Sequence, residues 1–326
     1  MAWNLAEFSK LEKDDLRGSI IDQFMMDSDI LQIIPWETTG KLSMRVLRYK
    51  DLPSWGYRLV NEGLSESTGK LADKVESLCL GGLYIDTDKA IARASNTIAD
   101  ARTIQQTMAM KAAAYQFNWK FIAGDPTTDP KEFKGITKRI DDIYAEGYTD
   151  QKIACNSTSV GILNSATTRF NFIEDVEKLQ YAIAGKAADM LLMNKKMLLG
   201  LRSCLLREKL LSYDKDMFDR RIDMWGSTRL VDIGVRADQT TEIILNTETA
   251  DGATSGGTEC TSIYAVKFGI GDMLWGLQEY PMETEDLGLL QTKPVYRTQI
   301  DWNHGLADVN PRCMARMYGI VPDSSS

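Results

Sequence analysis

The stretch that decides the fold runs from Thr97 to Ala123 and reads TIADARTIQQTMAMKAAAYQFNWKFIA. It contains neither Gly nor Pro and is rich in Ala, Met, Gln and Lys, all of which favour helix. The sequence therefore predicts one helix of about seven turns, roughly 40 Å long, ending at Gly124-Asp125-Pro126. Its apolar residues recur every three or four positions. We expect this stripe to be the core face of the helix, with Ile98, Met108, Tyr115 and Trp119 as its anchors.

Before this helix the sequence predicts a long two-stranded hairpin. From Lys41 the residues alternate, with Leu42, Met44 and Val46 on one side, and this period of two is typical of a strand. A second strand is predicted from Trp55 to Val60, after turn residues at Asp51-Leu52-Pro53. Because an isolated hairpin is only marginally stable in water, this one needs a neighbouring surface.

Beyond the helix the chain reads as alternating helix and strand. A helix is predicted over Ile173–Gly185, with Asn171 as its cap. A strand is also expected before the long helix, over Val75–Asp86. Further strands are predicted at Met190–Met193, Ser262–Phe268 and Val295–Trp302. Residues 246–260 are polar and rich in Gly, which predicts a flexible surface loop.

Composition excludes several classes of protein. The chain has 326 residues, of which 44% are hydrophobic and 26% charged, as in ordinary globular proteins. Its net charge of −8 is the opposite of the basic footprint of a nucleic-acid-binding protein. The five cysteines are far apart and form no C-x-x-C pair, so neither a disulfide framework nor a zinc site is expected. No secretion signal or membrane-spanning stretch is evident.

Catalytic motifs are weak throughout. The single histidine, His304, lies in Asp301-Trp302-Asn303-His304-Gly305, which we interpret as a hairpin turn with a solvated histidine. Asp141 and Asp142 could pair for acid-base chemistry, although a solvated acidic face is the simpler interpretation. Gly269-Ile270-Gly271 lacks the rest of a dinucleotide fingerprint. The sequence predicts no catalytic, cofactor-binding or metal-ligating residues and no cofactor.

Several motifs in combination suggest a family. They are Gly124-Asp125-Pro126 with Phe133-Lys134-Gly135-Ile136, then Asp189 to Asn194, Ser262 to Gly269, and Tyr296 to Ile320, which contains Pro311-Arg312 and Ala315-Arg316-Met317-Tyr318-Gly319-Ile320. With the order of elements around them, these stretches resemble the major capsid proteins of tailed bacteriophages, the Hong Kong 97-like coat protein fold. The resemblance covers residues 37 to 320 and is least between Arg207 and Thr261.

The resemblance implies an α+β coat fold divided along the chain. Residues 1–36 would be an N-terminal arm, 37–72 an extended hairpin loop and 146–289 a mixed α/β axial domain. Residues 73–145 and 290–320 would form the peripheral domain, with the spine helix at 97–123, and 321–326 a flexible tail. In such coats the loop reaches over a neighbouring subunit. We therefore expect the hairpin to contact an adjacent copy through Arg45, Arg48, Lys50, Trp55, Tyr57 and Arg58.

The implied function is structural and not enzymatic. Pentamers and hexamers of the chain would form an icosahedral phage head that encloses double-stranded DNA without sequence-specific binding. A separate scaffolding protein, a portal and a decoration protein are the expected partners, and assembly is expected in the host cytoplasm, with the product in the virion and no membrane involved. Lys50 has no assignable Asn partner for a covalent cross-link. An encapsulin nanocompartment is the first alternative, and a small-molecule enzyme using Asp141, Asp142 or His304 is the second.

Overall fold

The computed structural model describes residues 28–90, 101–156, 161–215, 221–253, 256–257 and 259–322. Most of the predicted arm 1–36, Ile98 and most of the tail 321–326 lie outside these residues. The described helices are α1 (Asp29–Ile33), α2 (Ala101–Ala123), α3 (Ile136–Ala145), α4 (Ala166–Ala182) and α5 (Lys195–Arg207). The described strands are β1 (Trp36–Thr38), β2 (Ser43–Asp51), β3 (Lys70–Ser77), β4 (Cys79–Asp88), β5 (Lys152–Ala154), β6 (Met190–Met193), β7 (Leu211–Lys215), β8 (Arg221–Trp225), β9 (Thr228–Asp232), β10 (Thr261–Val266), β11 (Leu274–Gln278), β12 (Glu283–Leu289), β13 (Val295–Asp308) and β14 (Met314–Ile320).

The first sheet is built on the long strand β13. Strand β4 pairs with it antiparallel from Cys79 opposite His304 to Asp88 opposite Val295. On its other side β13 pairs with β11 and β12, and β1 adds to β11 in parallel. Gly81 is needed for the close approach of β4, because a Cβ there would lie 2.8 Å from the Trp302 carbonyl oxygen.

Helix α2 lies across one face of the first sheet, but not on the face that we predicted from the sequence. Its buried residues are Gln106, Met110, Ala114, Phe117, Asn118, Phe121 and Ile122. Phe117 packs against both Trp36 and Trp302, with ring centroids 5.8 and 5.5 Å away. Met108 is 64% exposed, and Tyr115 and Trp119 are only partly buried. The prediction was wrong for Met108 because α2 has apolar residues on two faces, and the rings of Trp36 and Trp302 select the one with Phe117.

Replacing Phe117 with Ala is expected to lower the free energy of unfolding by about 3 to 5 kcal/mol, because a filled aromatic cluster becomes a cavity. The matched substitution Met108→Ala, on the exposed face of the same helix, should change the free energy of unfolding by less than about 0.5 kcal/mol in the dispersed protein. Urea unfolding of both variants measures this difference. Equal losses would contradict the assignment of the core face.

The second sheet has the strand order β5-β14-β10-β6-β9-β8-β7. Strand β6 is buried on both faces, which confirms the prediction of a buried strand at Met190–Met193. Leu191 and Met193 pack with α4 and α5, whereas Met190 and Leu192 belong to the cluster that contains Ile140 of α3. The sheet is therefore the middle layer of three.

The sheets divide the chain differently from the predicted domain ranges. Strands β11 and β12, within the predicted axial range 146–289, pair with β13 in the first sheet. Strand β14, within the predicted peripheral range 290–320, pairs with β10 and β5 in the second. The chain crosses between sheets through the short turn at Pro311–Cys313, a crossing that strand periodicity cannot reveal.

Three local predictions also need correction. The partner of β2 is Lys70–Ser77, and Trp55–Val60 is not a strand, so 52–69 form an irregular loop. Helix α4 begins after Ser165, which forms a capping box with Thr168, so the predicted cap Asn171 lies inside the helix. His304 lies within β13 and not in a turn, because the strand continues to Asp308.

Candidate assembly surfaces

The hairpin of β2 and β3 projects from the body as a separate two-stranded sheet. At its base, Val46 and Leu78 pack with Trp275, Leu277 and Ala307 in a small cluster of their own. Beyond this cluster every residue from 52 to 70 is exposed. Large apolar side chains that are exposed to solvent at the tip of a hairpin mark a surface that can bind a partner.

The six side chains predicted to contact another copy differ in their surroundings. Trp55 is 84% and Tyr57 is 95% exposed. Lys50 and Arg58 are exposed too. The Arg45 side chain, 70% exposed, reaches Asp73 across the hairpin at 3.2 Å.

Arg48 is the exception. Its side chain is only 10% exposed and forms an ion pair with Glu146, just past the end of α3 in the same chain. The sequence pattern did not distinguish it from the exposed cations of the hairpin, because its partner is 98 residues away.

A buried group of charges holds the base of the hairpin. Arg139 of α3 donates to both carboxylate oxygens of Glu76 at 2.7 and 2.8 Å and to the Leu306 carbonyl at 2.8 Å. It also pairs with Asp308, and Lys74 binds Asp308 at 2.8 Å and Glu76 at 2.9 Å. The Arg139 side chain is 1% exposed. We call these four residues the buried anchor.

The buried anchor escaped the sequence analysis, although one signal of it exists. Helix α3 has an apolar stripe of Ile136, Ile140 and Ile143, and Arg139 lies on that same face. An arginine at a core position is rarely buried unless it is paired. The sequence could flag Arg139 but could not identify Glu76 and Asp308 as its partners.

The charges of the anchor shift one another's pKa. Burial opposes the ionisation of Asp308, but Arg139 and Lys74 outweigh it and hold the pKa of that carboxyl below its ordinary value. For Arg139, Asp308 and Glu76 likewise outweigh burial and raise the pKa of the guanidinium. A lowered carboxyl pKa stabilises the fold above the unfolded pKa of about 4. That stabilisation is lost as the pH falls through the lower, folded pKa of Asp308.

The outer face of the first sheet, away from α2, is acidic. Glu283 lies opposite Asp301, and Glu285 lies opposite Gln299, so both glutamates share a face with Asp301. Glu279 lies beside this surface, because its carboxylate accepts a hydrogen bond from Asn303 Nδ2 at 2.8 Å. We call Glu279, Glu283, Glu285 and Asp301 the acidic sheet face.

The candidate catalytic residues do not come together. His304 is partly buried in a cluster of aromatic rings and stacks on Trp302 with ring centroids 4.0 Å apart, and desolvation lowers the pKa of its imidazole to about 4. It lines a largely apolar cavity of about 480 Å³, whereas Asp141 lines a different cavity of about 610 Å³. Asp141 binds Lys152 at 2.8 Å, and Asp142 pairs with Lys134.

The described residues contain neither a cluster of metal ligands nor a membrane-spanning helix. No three or more His, Cys, Asp or Glu side chains there are grouped so that they could hold a metal ion. In the same part of the chain, no helix is both long enough and apolar enough to cross a membrane.

Comparison with known proteins gives one family match. A family model described as major capsid protein GP7 matches residues 12–166, just under half of the chain. The matched range contains the hairpin, α2 and α3. A comparison with curated protein sequences finds no match.

Solved structures match nearly the whole chain. The SrpI encapsulin from Synechococcus elongatus PCC 7942, in its holo complex, has a TM-score of 0.63 at 11% identity, over 91% of this chain and 89% of that chain. A structure of Mycobacterium phage Bobi has a TM-score of 0.55 at 11% identity, over 91% of each chain. The capsid of a native GTA particle has a TM-score of 0.55 at 13% identity, over 90% of each chain. These likenesses confirm the predicted α+β fold as the Hong Kong 97-like fold.

Proposed function

We propose that this chain, a structural capsid protein by family match and fold, is the repeating coat subunit of a tailed-phage head. The observation that carries the proposal is the capsid family match over residues 12–166, which includes the projecting hairpin. In this proposal pentamers and hexamers close an icosahedral shell around double-stranded DNA, because a repeated heterologous contact forms rings. Scaffolding, portal and decoration proteins are proposed as separate chains that act with it.

Purified protein tests the proposal directly. Sizing chromatography with mass measurement, followed by electron microscopy, should reveal rings or closed shells at high protein concentration or after addition of a scaffolding protein. A species that stays monomeric under all conditions of salt, concentration and scaffold would contradict the proposal.

An encapsulin nanocompartment is the second candidate, because the SrpI encapsulin matches the fold with a TM-score of 0.63. The two candidates differ in what the shell encloses. A net charge of −8 suits a wall that must not adhere to packaged nucleic acid. Shells isolated from infected cells should contain DNA, and shells filled with protein would favour the encapsulin.

The proposed contact joins the exposed hairpin of one copy to the acidic sheet face of the next. Lys50 and Arg58 are cations of a hairpin tip that also carries Asp51, Glu62 and Glu66, and Trp55 and Tyr57 provide apolar area. Individual pairs of opposite charge orient the two surfaces, although each exposed pair contributes little. The aromatic side chains should therefore supply most of the binding energy.

Charge reversal tests this pairing. The double variant Glu283→Lys, Glu285→Lys should slow shell assembly about tenfold or more at low salt, because the two carboxylates that would attract Lys50 and Arg58 become cations that repel them. Adding Lys50→Glu and Arg58→Glu should restore part of the rate. The double variant Glu174→Lys, Glu177→Lys, at two exposed positions of α4, changes the net charge by the same amount and is the control. Light scattering follows assembly, and no rescue by the combined variant would refute the pairing.

A further inference from the structure

The hairpin is attached to its own subunit at two levels along one helix. The buried anchor joins Glu76 of β3 to Arg139 in α3, and the second contact joins Arg48 of β2 to Glu146. Arg139 and Glu146 are seven residues apart, or about 10 Å along a helix. Met44 is the cross-strand partner of Glu76, and Arg48 lies four residues further along β2, or about 13 Å. The spacing of the two contacts along the helix is therefore close to their spacing along the strand. Both contacts can form at the same time, with the hairpin lying alongside α3.

The ion pair of Arg48 and Glu146 offsets an unfavourable charge at the end of α3. Glu146 is the C-terminal cap of α3, where a negative charge is unfavourable because the carbonyl end of a helix is itself negative. A nearby cation offsets this cost, and Arg48 reaches the carboxylate with 10% of its side chain exposed. In contrast, the Arg45–Asp73 pair lies wholly within the hairpin and fixes nothing relative to the body.

We propose that the ion pair of Arg48 and Glu146 is a clasp that sets the angle at which the hairpin leaves its subunit. The apolar cluster of Val46 and Leu78 and the buried anchor both hold the base of the hairpin, and the clasp adds a contact further along it, which defines its direction relative to α3. The clasp positions the hairpin before a second copy arrives, so less conformational freedom is lost on association. Because the angle determines how neighbouring copies meet, Arg48 and Glu146 are positioning residues for assembly, and this role rests on the proposed function.

The test compares Glu146→Gln, which opens the clasp but keeps the shape of the side chain, with Asp73→Asn as the matched control. Hydrogen exchange of the dispersed protein should become about two- to fivefold faster in β2 and β3 for Glu146→Gln, because partly exposed ion pairs are modest in strength. Exchange in α2 should not change. Under assembly conditions the same variant should give shells of mixed diameter, whereas Asp73→Asn should give parental shells.

A charge swap completes the design. The double variant Arg48→Glu, Glu146→Arg should restore slow exchange in the hairpin and a single shell diameter. Identical behaviour of Glu146→Gln and Asp73→Asn in hydrogen exchange would overturn the clasp, and so would a charge swap that fails to restore slow exchange. If the parental protein forms no shells, the proposed function fails, and the exchange measurement still decides whether the clasp exists.

Discussion

Replacing Arg139 with Met is expected to lower the free energy of unfolding by about 3 to 5 kcal/mol, because it leaves buried carboxylates without their main partner. The Glu76 side chain is 6% and the Asp308 side chain 0% exposed. Lys74 alone would have to neutralise both charges. Urea unfolding of the dispersed protein at neutral pH measures the loss.

Two comparison variants make this result interpretable. Arg45→Met removes an exposed arginine from the same hairpin and should cost less than about 0.5 kcal/mol. The triple variant Arg139→Met, Glu76→Gln, Asp308→Asn removes the orphaned charges as well and should recover part of the stability. If Arg139→Met unfolds at the same urea concentration as the parent, the buried anchor contributes nothing to the fold.

Replacing residues 52–69 by a short Gly-Ser turn is expected to abolish shell assembly while leaving the melting temperature of the dispersed protein within a few degrees of the parent. The expectation follows from exposure, since Trp55 is 84% and Tyr57 95% exposed and neither packs in a core cluster of its own subunit. Differential scanning fluorimetry and electron microscopy of the same preparation measure both quantities.

A second replacement distinguishes the effect of the length of the loop from the effect of its side chains. A Gly-Ser segment of the same length as 52–69 keeps the span of the loop but removes Trp55, Tyr57 and Arg58. It should also fail to assemble, because aromatic anchors supply most of the energy of such contacts. Normal shells from either variant would show that the hairpin tip has no part in assembly.

The sequence by itself determined features that depend on local pattern. Helix propensity and the stop at Gly124-Asp125-Pro126 predicted the end of α2, where the structure has Ala123 as its last residue. An uninterrupted apolar run predicted β6, and alternation from Lys41 predicted β2. The order of these elements, with the motifs around them, was sufficient to indicate the Hong Kong 97-like fold.

Tertiary structure alone decided which of these features meet. Apolar residues on two faces of α2 left its core side open until Trp36 and Trp302, from distant strands, packed against Phe117. The continuation of β13 through His304 depends on β4 and β11, which pair with it on either side. Arg139 meets Glu76 and Asp308, which lie 63 and 169 residues away in the chain. Pairing of this kind is set by three-dimensional packing and charge, neither of which has a period along the sequence.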